Sequence, residues 1–578
     1  MSNGSDQKVT YLGKVDFRNK QLTFGIKEKD RTRHMYVIGK TGMGKSTFLE
    51  NLAIQDIANG EGMCFIDPHG STAEKLLDHI PESRIKDVVY FAPFDGDHPI
   101  GLNVLEKVTL DKRHLVANGI MAAFKKLFKD QFSARMEYIL NNIILALLEN
   151  DGQSLLGVNR MLIDKEYRKF IVSNVTDPTV KDFWQKEYAN YTDKFAAEAA
   201  PAIQNKVGQF VSNPLIRNII GQQKTSFDIR KLMDEKKILI VNLSKGKVGE
   251  GNANLIGSLL ITKIYLAAMS RADVGAYELE KLPPFYFYVD EFQNFANEAF
   301  ASILSEARKY NLALTVAHQY IEQMEDEVKA AVFGNVGTMI TFRVGATDAE
   351  VFEKEFAPYF VMDDIVNLSF TQIYLRLMID GVGSKPFSAH TLDPIKAPPH
   401  SYQDAVIAHT RNTYAKPRFV VEEEIASFYA PAQKEEPRPM SDKKAEPRAE
   451  YRGEQRYEPP KEKTLPVRKI TNDTPLPPRT YQPKKEEPRK EKDVYFENRK
   501  IEEAFHEPPR QDKQSRPRDD RKPKETPPLQ KMDVPTFDDK PPVSLKDALA
   551  KAMEVHKVEE EKKKKEIAED VLRTLIED

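Results

Sequence analysis

The run Gly39-Lys40-Thr41-Gly42-Met43-Gly44-Lys45-Ser46 fits the spacing G-x-x-x-x-G-K-[ST], and its residue types suit the cradling of phosphate groups. Glycines let the backbone close round phosphate oxygens, and successive N–H groups ahead of a helix favour negative charge there. In that setting Lys45 is expected to reach the β- and γ-phosphates and Ser46 to offer its hydroxyl to Mg2+. Thr47 completes the set expected to bind the nucleotide. The apolar run MYVI before the loop and the helical pattern after it, from Ser46 to about Ala58, give the strand–loop–helix setting that a chance glycine-rich turn lacks.

FYFYVDEF supplies carboxylates for the same chemistry. Its apolar residues read as a buried strand, and Asp290 emerges at the carboxyl end, where open α/β sheets bind ligands. Asp290 can serve the Mg2+ sphere through water, and Glu291 is placed to polarise an attacking water. LALTVAHQ is another buried strand, ending on Gln319. An amide can both donate to a phosphate oxygen and orient water, which makes Gln319 the candidate γ-phosphate sensor. Arg308, in SEARKYNL, is the candidate arginine finger, with Arg343 in TFRVG as its rival. The alternative for each arginine is an ion pair within its own subunit. Either finger requires assembly, because the site is then completed by a second copy.

These residues need a scaffold, and the hydrophobic pattern outlines one. KVDF and LTFGI read as a hairpin within 9–26. MYVI, MCFID and VVYFAPFD alternate with helical stretches, which predicts a parallel sheet with helices on both faces. From 111 to 230 the strand signals give way to helix. Met136, Ile139, Leu140, Ile143, Ile144, Leu147 and Leu148 form a one-sided stripe, and this block reads as an all-α domain inserted into the α/β domain. KILIVNLS, FYFYVDEF, LALTVAHQ, MITFRV, IYLRLMID and FSAHTL then resume the sheet, and a helix-like VVEEEIASFY ends it near Tyr429.

The divisions are therefore 1–110 and 231–430 for two halves of one α/β domain and 111–230 for the insertion. Residues 431–542 hold 21 of the 36 prolines among many charges, a composition expected to be disordered. Within 543–578, Ser544 with Asp547 resembles a capping box, and two short helical stripes make a candidate docking element.

The formal net charge of −2 gives no global sign of a nucleic-acid binder, although a ring-shaped motor needs only a few basic loops at its pore. Lys125, Lys126 and Lys129 are candidates for such contacts, or simply a solvated helix face. The sole cysteine, Cys64, lies in an apolar run and excludes a disulfide framework within the chain. With no signal-peptide pattern at the N-terminus and no apolar run approaching about 20 residues, the expectation is a cytoplasmic protein, peripheral at a membrane if it docks there. No N-K-x-D guanine-reading motif follows a strand, which favours ATP over GTP.

GKTGMGKS, IDPHG, VDEF, SEARKYNL and AHQ, in this order, resemble the FtsK/HerA superfamily, and among its members the TraG/TrwB-type coupling ATPases of type IV secretion. FDGDHPIGLNVLE and VFGNVGTMITFRVGATDAE extend the resemblance, which covers roughly 24–420. It implies a RecA-like P-loop NTPase fold with a mainly parallel sheet and an all-α insertion. It also implies a hexameric ring that uses ATP and Mg2+ to move DNA through its channel. Carried over by motif, Lys45 and Ser46 bind nucleotide, Asp290 serves Mg2+, Glu291 is the catalytic base, Arg308 the finger and Gln319 the sensor. Asp67 and His69 fall in IDPHG near the expected nucleotide, with Asp67 either positioning the site or capping a turn. Coupling proteins commonly begin with transmembrane helices, and none is read here. Recruitment by a partner, through the C-terminal tail, and action away from the membrane in the manner of HerA-like helicases both remain open. Other readings are an ATPase for pilus assembly or protein secretion and a nucleotide-dependent scaffold.

Overall fold

Short runs of β-branched and aromatic residues, apolar at every position, are suited to strands covered on both faces. In the computed structural model they form the centre of an 11-stranded sheet. Residues 8–430 are described, apart from 18, 19, 107 and 192, and all of them lie in the first of two compact units, 1–443 and 444–578. The Pro-rich segment 431–542 and the stripes within 543–578 lie outside the described residues.

The strands are β1 (Val9–Phe17), β2 (Lys20–Lys27), β3 (Met35–Ile38), β4 (Gly62–Asp67), β5 (Val88–Phe91) and β6 (Ile238–Asn242), then β7 (Phe285–Val289), β8 (Leu312–His318), β9 (Thr338–Thr341), β10 (Gln372–Arg376) and β11 (Phe387–Thr391). Their order is β2-β1-β11-β10-β9-β3-β8-β7-β4-β6-β5. From β9 to β5 every pairing is parallel, and the remainder is antiparallel. β8 stands between β3, which leads into the glycine-rich loop, and β7, which leads into Asp290. Ile38 pairs with His318 and Val289 with Val316, so Gly39, Asp290 and Gln319 leave the sheet at the same edge. This is the RecA-like arrangement, with the sensor strand inserted between the two nucleotide-facing strands.

The N-terminal hairpin forms as expected, with Phe17 opposite Lys20. It also extends the sheet through β1 and β11, a pairing that local sequence does not announce. VVYFAPFD yields only the short β5, since Pro93 follows within two residues. IYLRLMID breaks after Arg376, and Met378–Ile379 pair instead with Val382–Gly383 in a separate ribbon.

Helix α1 (Lys45–Ala58) begins within one residue of its expected start, and α2 (Ser71–Asp78) follows β4. Between Leu110 and Asp234 the described elements are all helical, and α3 (Arg113–Leu127) and α4 (Ala134–Leu148) are the first long ones. Ser133 caps α4 by accepting a hydrogen bond from the Met136 N–H at 3.3 Å. All seven stripe residues of α4 are buried, in one hydrophobic cluster with Ile66, Phe287 and Val316 of the sheet. The opposite face of the sheet packs Val37, Phe65 and Tyr288 against Phe48, Leu52 and Leu76 of α1 and α2.

Helix α5 (Glu250–Met269) is the longest apolar helix among the described residues. With the turn after it, it is long and apolar enough to cross a membrane by length and composition. Lys263 interrupts it, so no unbroken apolar run of about 20 residues forms, as expected. In the fold 61% of the apolar window is buried, and Leu255, Leu259, Leu260 and Ile264 belong to the main core. Helices α6 (Glu298–Glu306) and α7 (Asp326–Asn335) follow the two site-bearing strands, and α8 (Arg418–Tyr429) closes the described chain, with Val421 and Ile425 packed on Leu156.

Candidate nucleotide site

The loop between β3 and α1 is held by backbone bonds from its sheet neighbours. Gly39 N–H donates to the His318 carbonyl at 3.3 Å, and Lys40 N–H to the Arg343 carbonyl at 2.8 Å. Gly44, with φ 107°, turns the chain into α1 through a conformation that side chains resist. A Cβ on Gly39 would meet that of Phe342 at 2.5 Å. The loop thus presents N–H groups and the N-terminus of a 14-residue helix at the carboxyl edge of the sheet, the arrangement that binds anions. Lys45 is 5% exposed, and its ammonium donates to the Gly39 carbonyl at 2.6 Å. Burial lowers its pKa, opposed by the charges of Glu291 and Asp290.

Asp290, 2% exposed, accepts from the Ser46 hydroxyl at 3.1 Å on one oxygen and from the Glu291 N–H at 2.9 Å on the other. Burial, followed by the like charges of Glu291 and Asp67, raises it to about 6. This is a group short of positive charge. Among the described residues no three His, Cys, Asp or Glu side chains are grouped to hold a metal ion. That suits Mg2+, which takes one or two protein oxygens and completes its shell with phosphate and water. Ser46 and Asp290 would hold it, and the ion would supply charge neutralisation at the phosphates.

Glu291 sits in the left-handed region at φ 47°, a strained place for a non-glycine residue. The charge of its carboxylate acts on Lys45 of the glycine-rich loop. One oxygen accepts from Gln319 Nε2 and the other from Gln293 Nε2. The Gln319 carbonyl oxygen in turn accepts from the Thr41 hydroxyl at 3.2 Å. A single amide therefore spans the loop and the candidate base. Sequence reading missed Gln293 and Asn294; Asn294 donates to the Glu291 carbonyl at 2.9 Å and accepts from Lys245 at 2.9 Å. The signal was the pair of amides one residue beyond the acid in DEFQN.

The other candidates scatter more widely. Asp67 accepts from the His69 N–H at 2.8 Å and the Ala73 N–H at 2.9 Å, so both its oxygens serve the turn and the start of α2. Its field still reaches Asp290. His69 is exposed and Thr47 half-buried in the first turn of α1. Met43 is buried, and Arg343 lies over its sulfur at 3.2 Å, on the loop of its own chain. Arg308 is exposed in the turn Ala307–Tyr310, before β8 and so at the opposite edge of the sheet. The strand Leu312–His318, at roughly 3.3 Å per residue, sets it about 20 Å from the edge that carries Gln319.

The lysines offered as DNA contacts or as a solvated helix face lie beside acids. Lys125 pairs with Glu137 at 2.7 Å and Lys126 faces Glu325 at 3.9 Å. With Lys129 they line a cleft of about 510 Å³ that also holds Asn297, Asp326 and Glu327. An open cleft of about 1000 Å³ among Lys8, Lys27, Lys29 and Lys236 lies at the edge away from the glycine-rich loop.

Among solved structures, the unbound monoclinic form of the bacterial conjugative coupling protein TrwBdeltaN70 is similar, at 13% identity and TM-score 0.49 over 66% of this chain and 88% of that one. The plasmid coupling protein TrwB with ADP and Mg2+ matches at 15% identity and TM-score 0.48, over 70% and 98%. VirB4 of Thermoanaerobacter pseudethanolicus matches at 15% and 0.42, over 70% and 99%. No protein of curated function matches the chain. Residues 22–372, more than half of the sequence, match the family of the type IV secretion-system coupling protein DNA-binding domain, and the chain belongs to that family.

Proposed function

We propose that this chain hydrolyses ATP and uses the energy to move DNA through a ring of copies, six by the family resemblance, as the coupling ATPase of a type IV secretion or conjugation system. The observation that carries the reading is the Thr41–Gln319–Glu291 bridge beside the Lys45 loop and the Ser46–Asp290 pair. The residues proposed as phosphate cradle, metal pair, base and sensor lie at one edge, which supports a nucleoside triphosphatase whose base answers to its γ-phosphate. Glu291 would orient the attacking water, Lys45 would hold the phosphates, and Gln319 would report whether the γ-phosphate is present. The exposed Arg308, about 20 Å from its own site, supports completion of each site by a neighbour.

Translocation is tested by displacement of a third strand from a DNA triplex. The proposal expects displacement with ATP, none with a non-hydrolysable analogue, and none with Lys45→Ala. Hydrolysis without displacement on any DNA would overturn the DNA-motor reading. The pairing of Lys125 and Lys126 with acids favours a second reading, an ATPase for pilus assembly or protein secretion, whose rate DNA would not change.

A further inference from the structure

One short piece of chain, from Gln319 to Glu325, leads from the sensor to α7, beside the helical block. Ile321 and Met324 anchor it in the core, and the Ile321 N–H donates to Asp348 at 3.0 Å. Its last residue, Glu325, precedes α7 and faces Lys126 of α3 at 3.9 Å. Among the described ion pairs this one joins the helical block to the sensor segment. Lys126 is mostly buried, its side chain 20% exposed, and burial lowers its pKa while Glu325 opposes the change. Its charge is also felt at His318, the residue before the sensor. Next to it, Lys125 pairs with Glu137 at 2.7 Å and ties α3 to α4.

A pair as long as 3.9 Å contributes little to stability, so its place is better explained by what it connects. We propose that Lys126 is a positioning residue: through Glu325 it ties the sensor segment to the helical block, so that a change at Gln319 shifts α3 and, with it, α4. This deepens the nucleotide-site reading and rests on it. A link with two arrangements lets nucleotide state and the helical block bias one another.

The chain carries its own reporter. Trp184, its only tryptophan, is buried in the helical block and donates to the Asn142 carbonyl of α4 at 3.3 Å. Phe183 and Tyr188 pack against its ring at 5.0 and 4.7 Å between centroids. The test is Trp184 emission of the full chain with Mg2+ and either ADP or a non-hydrolysable ATP analogue, alongside calorimetric nucleotide affinity. In the wild type the two nucleotides should give different emission. Lys126→Glu should abolish the difference while affinity is kept, and Lys126→Glu with Glu325→Lys should restore it. A difference that survives Lys126→Glu, a charge swap that fails to restore it, or a wild type that binds both nucleotides with identical emission would overturn the link. A wild type that binds neither nucleotide would instead sink the nucleotide-site reading, and the link with it.

Discussion

Replacing Asp290 by Asn should stabilise the metal-free protein while destroying its ability to hold Mg2+. Asp290 lies near 6 in the fold, against about 3.9 for an unstructured aspartate, because it is buried beside Glu291 and Asp67. At roughly 1.4 kcal/mol per factor of ten, keeping it ionised costs the fold about 3 kcal/mol. The folded pKa is raised, so this group's favourable contribution is fully present below pH about 4 and is lost as pH rises through about 6. Asparagine never ionises, and its amide can still bond Ser46 and the Glu291 N–H. In EDTA at pH 8, Asp290→Asn should therefore exceed the wild type by about 2–3 kcal/mol, read from denaturant midpoints. The advantage should shrink towards zero by about pH 4. A variant equal to or weaker than the wild type at pH 8, or an advantage independent of pH, would refute the reasoning.

The remaining expectations follow from the same geometry. Glu291→Gln should keep ATP affinity and lose about 10²–10⁴ in kcat, measured by steady-state release of phosphate, because an amide cannot take the proton of the attacking water. Gln319→Ala removes the bridge to Thr41 and should lower kcat by about 10²-fold with little change in KM. Arg31 donates to both oxygens of Asp56, at 2.6 and 2.9 Å, and to Thr10 and Tyr288, all buried. Arg31→Met strands the Asp56 charge and should cost about 3–5 kcal/mol in chemical unfolding.

The placement of the candidate site was legible where it is local. The glycine-rich loop, Asp290-Glu291 and Gln319 each follow a short apolar strand, and a parallel sheet brings such strand ends to one edge. The α4 stripe was legible because a single helix face repeats along the sequence. What sequence reading missed depends on distant partners. Lys263 splits the apolar run of α5, yet it is satisfied inside the fold by the Asn103 carbonyl at 2.5 Å, the Thr225 hydroxyl at 2.7 Å and Glu106. The acids beside Lys125 and Lys126 were not visible in the sequence because they lie far along the chain or a helix away. For Asp67 the sequence offered both a site role and turn capping, and its two oxygens accept from the local His69 and Ala73 N–H groups.

The most direct test of the central claim is the steady-state ATPase rate of the purified protein with and without single- and double-stranded DNA. Salt is held low and fixed, since phosphate contacts make any DNA effect depend on ionic strength. The account predicts strong stimulation that Arg308→Ala abolishes, the finger being worth about 10³–10⁵ in rate. A rate indifferent to every DNA tested, or one that DNA raises equally in Arg308→Ala, would contradict it.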